Sequence, residues 1–157
     1  MSHPATIYLV RHVKAGERRL WHGDDELRPI SKHGRKQAEA VGERLEKHAT
    51  SLHSSPYVRC VQTLEPLGKR VGLAIHDEPR LSEGAPFEPV LELINEVEHG
   101  AVLCSHGDII PEVIQALARR GMEIQTPPDW RKASIWVLKR KGEHIAKGKV
   151  WPPPSSK

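Results

Sequence analysis

Cysteine is nearly missing from this 157-residue chain, with Cys60 and Cys104 the only two. Both stand in apolar surroundings and lack C-x-x-C spacing, which argues against a disulfide framework or a zinc site and predicts reduced, buried thiols. Aromatic residues are scarce at 4%, and no Gly-aromatic repeat or arginine-rich arm occurs. A stacking platform for single-stranded nucleic acid would be hard to build from them. No apolar run approaches the ~18 residues of a membrane span, and Met1-Ser2-His3-Pro4 has neither the charged nor the apolar region of a secretory leader. A cytoplasmic protein without a membrane partner is expected. His22, His33, His48 and His99 show neither H-E-x-x-H nor other metal spacing, and no carboxylates with ion-ligand spacing follow Asp24-Asp25. No metal or cofactor is expected; these histidines read as surface residues, and Asp24 and Asp25 as loop-shaping ones.

The chain does carry positive charge: 24 Lys and Arg against 20 Asp and Glu, a net charge of +4. The cations are spread along the chain rather than gathered in a tail, which suits an anionic ligand. The length fits one domain with a real core. That domain is expected over residues 1–150, followed by a flexible Pro/Ser tail over 151–157.

Ile7 to Val10 is apolar throughout with β-branched residues at both ends, the pattern of a central strand buried on both faces. An aperiodic polar loop follows, and Ser31 offers an N-cap for a helix whose Ala38, Val41 and Leu45 form one stripe. "SLHS" opens a short strand, and Ser55-Pro56 reads as N-cap and first position of the next helix. A strand at Leu73 to Ile75 comes next. Then a helix starts at Pro89, bearing Val90, Ile94 and Val97 and ending by Gly100. "AVLCSHGD" repeats the opening pattern before a helical "IIPEVIQALARRG". Two antiparallel strands around Lys141-Gly142 close the chain. Strands alternating with helices imply an α/β three-layer sandwich whose central sheet is mainly parallel, with an antiparallel C-terminal addition.

In open α/β sheets ligands bind beyond the carboxyl ends of the strands. The loops in that position hold Arg11-His12, Ser54 to Arg59 and Ser105-His106-Gly107. Two arginines and two histidines meeting there would form a compact cationic pocket suited to a phosphoryl group. Arginine's fork of donors matches phosphate oxygens bidentately, and Arg59 sits near a helix N-terminus, where free N–H groups favour anions. Neighbouring cations would oppose protonation of an imidazole and keep its lone pair available, so one histidine could attack while the other donates to the phosphate. Lys14 and Arg28 are candidate substrate contacts that extend the positive surface.

Five motifs occur in order: "LVRH", "RPISKHGRKQA", "SSPYVRCVQT", "LSEG" and "CSHGD". Together they resemble the signature series of the histidine phosphatase superfamily, also called phosphoglycerate mutase-like, over roughly Ile7 to Ile110. The loop after His12 and "RCVQTLEPL" look closest to small phosphohistidine phosphatases and to the phosphatase domain fused to Nudix domains; no Nudix box occurs here. The resemblance implies that His12 is the phosphate-accepting nucleophile and that Arg11, Arg59, His106 and Gly107 form the phosphate pocket. It also implies that Glu83 protonates the leaving group, with Glu88 and Asp108 as alternatives. Val13 stands where the family commonly has glycine; its backbone N–H remains, but the close approach glycine permits is lost.

The function these residues imply is a metal-independent phosphatase acting through a phosphohistidine on His12. Its substrate would be a phosphorylated small molecule, a nucleotide or a phosphoprotein. The rival reading is a phospho-ligand or nucleic-acid binding module without turnover.

Overall fold

A computed structural model describes residues 4–155. Its centre is β1 (Ala5–Arg11), and the alternation of that strand explains why the whole run is apolar. Ile7 and Leu9 point into one core with Leu103, Ile114 and Trp136. Tyr8 and Val10 point into a second core with Leu52, Val102 and Cys104 on the opposite face. A strand covered on both sides has no face on which polar residues would be stable.

The first core is covered by α3 (Glu88–Glu96) and α4 (Ile110–Arg119), the second by α1 (Lys32–Leu45) and α2 (Val58–Val71). The expected stripe of Ala38, Val41 and Leu45 is fully buried, and Ser31 caps α1 by accepting from the Gly34 N–H at 3.0 Å. The remaining strands are β2 (Ser51–Ser54), β3 (Ile75–Asp77), β4 (Ala101–Ser105), β5 (Glu123–Ile124), β6 (Ile135–Lys141) and β7 (His144–Trp151). They form one seven-stranded sheet in the order β3-β2-β4-β1-β6-β7-β5. The pairs β1–β4, β2–β4, β2–β3 and β5–β7 are parallel, while β1–β6 and β6–β7 are antiparallel. Among the described residues no helix is long and apolar enough to cross a membrane.

Several boundaries differ from those read in the sequence. The second helix starts at Val58 with Tyr57 in the cap position, because the Ser55 hydroxyl that would have capped it is engaged with His106 instead. The third strand is Ile75–Asp77 rather than Leu73 to Ile75, since Leu52 and Ser54 of β2 pair with Ile75 and Asp77. α3 begins one residue before Pro89 and ends at Glu96, leaving Val97 extended but still buried. β5, only two residues long, carries too little pattern to be read from the sequence. β7 runs through Trp151, one residue into the expected tail.

Register decides where the chemistry falls. Arg11 of β1 lies opposite Ser105 of β4, so the next residues on these parallel neighbours, His12 and His106, leave the sheet side by side. Ser54 lies opposite Cys104, which brings Ser55 to the same rim, and the Ser55 N–H donates to the Cys104 carbonyl at 3.0 Å.

Candidate active site

His12 is held by both ends of its ring's environment. Its backbone N–H donates to the Ser105 carbonyl at 3.1 Å, and its Nδ1 lies 2.8 Å from the Val13 carbonyl. A carbonyl only accepts, so Nδ1 carries the proton and Nε2 keeps the lone pair. The ring is 5% exposed. Burial pushes its pKa down to about 3, and Arg59, Arg11 and Lys132 push the same way against the Val13 hydrogen bond. His12 is therefore a neutral, oriented base at physiological pH, the form a nucleophilic imidazole needs.

His106 stands against it, with ring centroids 5.3 Å apart in an edge-on arrangement. The Ser55 hydroxyl accepts from the Tyr57 N–H at 3.3 Å and lies 2.8 Å from His106 Nε2. On the other side of the ring Nδ1 faces Glu83 Oε1 at 4.0 Å, and a carboxylate only accepts, so the proton sits on Nδ1 and the Ser55 hydroxyl donates to Nε2. Nδ1 is buried without a partner among the described residues. Burial and then His12 and Arg59 push the His106 pKa down to about 3.

Two arginines complete the centre. Arg59 is fully buried on the first turn of α2, with Tyr57 beneath its guanidinium at 4.9 Å. Its terminal nitrogens donate to the Asp25 carbonyl at 2.9 Å, to Asp25 Oδ2 at 3.0 Å and to Glu83 Oε1 at 3.2 Å. Arg11 donates to the Trp130 carbonyl at 2.6 Å, and its guanidinium lies flat against Gly107. A Cβ on Gly107 would fall 2.5 Å from Arg11 Cζ, so any larger residue after His106 would push the guanidinium aside. Of the four buried side-chain nitrogens without a partner among the described residues, three belong here: Arg11 Nε, Arg59 Nε and His106 Nδ1. Each is an N–H donor, and leaving one unpaired in the interior costs about 1–3 kcal/mol. A tetrahedral oxyanion seated on them would remove that cost.

Of the three carboxylates considered for proton transfer, Glu83 reaches the histidines, with Oε1 4.0 Å from His106 Nδ1. Asp108 instead accepts from the Gly84 N–H at 2.8 Å and so braces the loop that presents Glu83. Glu88 is exposed at the start of α3. Arg28 departs from its expected role as a substrate contact. It is buried, donating to Asp25 Oδ1 at 2.9 Å and to the Gly16 carbonyl at 2.6 Å, so it braces the loop from inside. Lys14 is exposed beside Arg11 on the wall of an open cavity. Val13 is buried, and its N–H donates to Thr63 Oγ1 at 3.0 Å rather than facing a phosphate. Thr63 in turn donates to the Arg59 carbonyl at 2.7 Å within α2, so the loop after His12 is tied to the helix that carries Arg59.

Sequence reasoning missed three participants. Asp25 takes part in the site as well as shaping its loop. Burial acts to raise its pKa, but the hydrogen bond from Arg28 and the charge of Arg59 hold it below the usual carboxylate range. Ser55, read as a helix cap, orients His106. Lys132, from the loop before β6, had no motif to announce it and bears on His12 electrostatically. Cys60 and Cys104 are free and buried, with Cys60 Sγ 3.5 Å from His106 Nε2.

Residues 7–86 match the histidine phosphatase superfamily (branch 1). The chain belongs to that family. Relatives of this family member include an 8-oxo-(d)GTP phosphatase of Mycolicibacterium smegmatis, 35% identical over 160 residues, which cover 97% of this chain and 49% of that protein. The chain thus spans about half the length of that relative. Among solved structures, the protein histidine phosphatase SixA, complexed with tungstate, superposes with a TM-score of 0.76 at 20% identity, covering 96% of this chain and 97% of the other. A mycobacterial glucosyl-3-phosphoglycerate phosphatase gives 0.69 at 20% identity, covering 96% and 100%. At such identities the likeness establishes the histidine phosphatase fold: an α/β sandwich with an antiparallel pair at the C-terminal end of the sheet.

Proposed function

We propose that this histidine phosphatase hydrolyses its substrate without a metal, through a covalent phosphohistidine on His12. The observation that carries the reading is the trio of buried, unpartnered donors, Arg11 Nε, Arg59 Nε and His106 Nδ1, around an imidazole whose Nε2 is unprotonated. Non-bridging phosphoryl oxygens meet these donors while Nε2 attacks phosphorus. As the P–N bond forms, the P–O bond to the leaving group breaks, and its electron pair departs on that oxygen. Glu83 supplies a proton where the leaving oxygen needs one. In the second step water attacks the phosphohistidine, Glu83 takes its proton, and phosphate leaves His12 neutral again. Both steps place similar charge on the transferring group, so one set of fixed donors serves both.

The named activities of the relatives span oxidised nucleotides and protein phosphohistidine. Both supply a leaving group better than an alkoxide, a phosphate oxygen in one case and an imidazole in the other. We assign this chain a phosphorylated small molecule, nucleotide or phosphoprotein with such a leaving group. We also assign the whole catalytic unit to one domain, residues 1–150 together with the end of β7 at Trp151 and the segment that follows it along the cavity.

The test is turnover of para-nitrophenyl phosphate in EDTA. The wild type should be active and His12→Ala slower by at least about 10³-fold, as for removal of other covalent nucleophiles. Wild type quenched in alkaline detergent should carry base-stable, acid-labile phosphate that His12→Ala lacks. Glu83→Gln should cost about 10²-fold on an alkyl phosphate and only a few fold on the aryl ester, because a good leaving group needs no proton. Equal rates for wild type and His12→Ala would overturn the mechanism.

A further inference from the structure

A cavity of about 690 Å³ opens beside the histidine centre, lined by Arg11, Lys14, Arg131 and Lys132, with Gln37 and tail residues 153–155 closing it. Its charges are not equivalent. Arg131 is clamped by Asp129, with a contact of 2.6 Å, so its charge is already met. Lys14 and Lys132 enter no ion pair among the described residues. The groups bearing on Lys132 besides its own burial are Arg11, Arg28, Lys14 and Arg59, with no carboxylate among them.

The fold holds this cluster of like charges in place at some cost. Ala133, next to Lys132, has φ of +71° and is the only non-glycine residue in the left-handed region among the described residues. For an alanine that conformation costs roughly 1–2 kcal/mol. Its N–H is shared between the carbonyls of Arg11 at 3.1 Å and His12 at 3.3 Å, and the Arg11 N–H donates to the Ser134 carbonyl at 3.1 Å. The loop that carries Lys132 is thereby stitched to the nucleophile's own backbone. Opposite it, the Lys14 N–H donates to Gln37 Oε1 at 2.9 Å. The proline wall is anchored where Arg44 donates to the Pro152 carbonyl at 2.7 Å and stacks over Trp151 at 5.0 Å. Strain at one residue and anchors on three sides are features of a built site.

We propose that this cavity is a second anion subsite that holds the leaving-group phosphate of a diphosphate substrate, with Lys132 and Lys14 as its cations and Arg11 shared with the histidine centre. The proposal rests on the phosphatase reading and narrows its substrate class to a diphosphate anhydride, for which a nucleoside diphosphate is the probe. Arg11 borders both sites, which fits two anions as near to each other as the phosphoryl groups of an anhydride. The terminal phosphoryl group passes to His12 Nε2 as the bond between its phosphorus and the bridging oxygen breaks. That oxygen leaves with the electron pair on the nucleoside monophosphate and needs no proton, and its new charge develops against Arg11 and Lys132. Water later splits the P–N bond, so the sum is diphosphate plus water giving monophosphate plus inorganic phosphate.

The experiment compares kcat/KM for ADP with that for para-nitrophenyl phosphate, whose leaving group carries no second anion. Lys132→Met should lower the ADP-to-aryl ratio about 10- to 100-fold and Lys14→Met about 3- to 10-fold, while Lys132→Arg restores most of it. In wild type alone, inorganic pyrophosphate should compete with the aryl ester at a concentration at least tenfold below that of inorganic phosphate. A ratio unchanged in both lysine-to-methionine variants would overturn the proposal, as would equal inhibition by the two anions or a preference for a phosphohistidine peptide over ADP. Those failures leave His12→Ala inactive. Undiminished aryl ester turnover by His12→Ala would instead sink the phosphatase reading itself.

Discussion

On one side of Arg11 lie side chains that the core holds still, and on the other lie lysines that stand out from loops. His12, Arg59 and His106 are each at most 5% exposed, and an acceptor-only group facing Nδ1 decides the protonation of each histidine ring, the Val13 carbonyl for His12 and the Glu83 carboxylate for His106. Lys14 and Lys132 have a place but no such partner; their ammonium groups are mobile point charges on flexible stems. The difference teaches how the work is divided. Bond making at phosphorus is intolerant of sub-ångström error and sits on strand ends, whereas charge matching along a substrate tolerates adjustment and sits on loops.

The largest test of this contrast is Arg59→Ala. It removes a buried donor from the proposed phosphate position and takes from Asp25 and Glu83 the guanidinium they share, so kcat on para-nitrophenyl phosphate should fall about 10²- to 10³-fold. Arg59→Lys should not rescue it, because one ammonium cannot replace donors spread over Asp25 and Glu83 and still meet the proposed phosphate. A loss no greater than that of an exposed arginine such as Arg35 would break the comparison.

Gly107→Ala is a smaller probe. The added methyl would meet the Arg11 guanidinium at 2.5 Å and displace it, which should lower kcat/KM about tenfold on both the aryl ester and ADP, since Arg11 serves both sites. Steady-state kinetics on the two substrates checks it. A loss confined to ADP would mean that Arg11 belongs to the cavity alone.

The smallest change in rate is expected from pH, which acts on stability instead. His12 and His106 have folded pKa values pushed down to about 3 by burial, against about 6.5 in the unfolded chain. Below 6.5 the unfolded chain binds protons that the folded one refuses. Their contribution to stability is therefore complete above about 6.5 and declines as the pH falls toward 3. Urea midpoints should drop between pH 7.5 and pH 4.5, with a shallower slope in His106→Asn, and the two imidazole NMR signals should not titrate between pH 5 and 8. Titration of either near 6.5 would show that the centre is wetter than its geometry implies.

Legibility in the sequence followed the same division. Apolar continuity in "IYLV" and "AVLC" announced two central strands, and the polar residues that end them announced a rim, because burial on both faces leaves a chain no other place for such groups. The roles of Asp25, Ser55 and Lys132 were not legible. Ser55-Pro56 has the local signature of a helix start, yet the hydroxyl serves His106, 51 residues away in sequence. Arg28 read as a surface cation because charge patterning carries no sign of which way a loop turns. Lys132 sits in a segment whose backbone conformation is imposed by Arg11 and His12, far from it along the chain.

What the sequence by itself determined is the α/β layering, the two histidine-bearing strand ends and the excess of positive charge, all consequences of periodicity and composition. Only the tertiary structure decided which proton sits on which ring nitrogen, which carboxylate faces the histidines, and which cations remain unpaired. Those properties depend on partners brought together by parallel register and by loop closure, and no local run of residues encodes the distance between them.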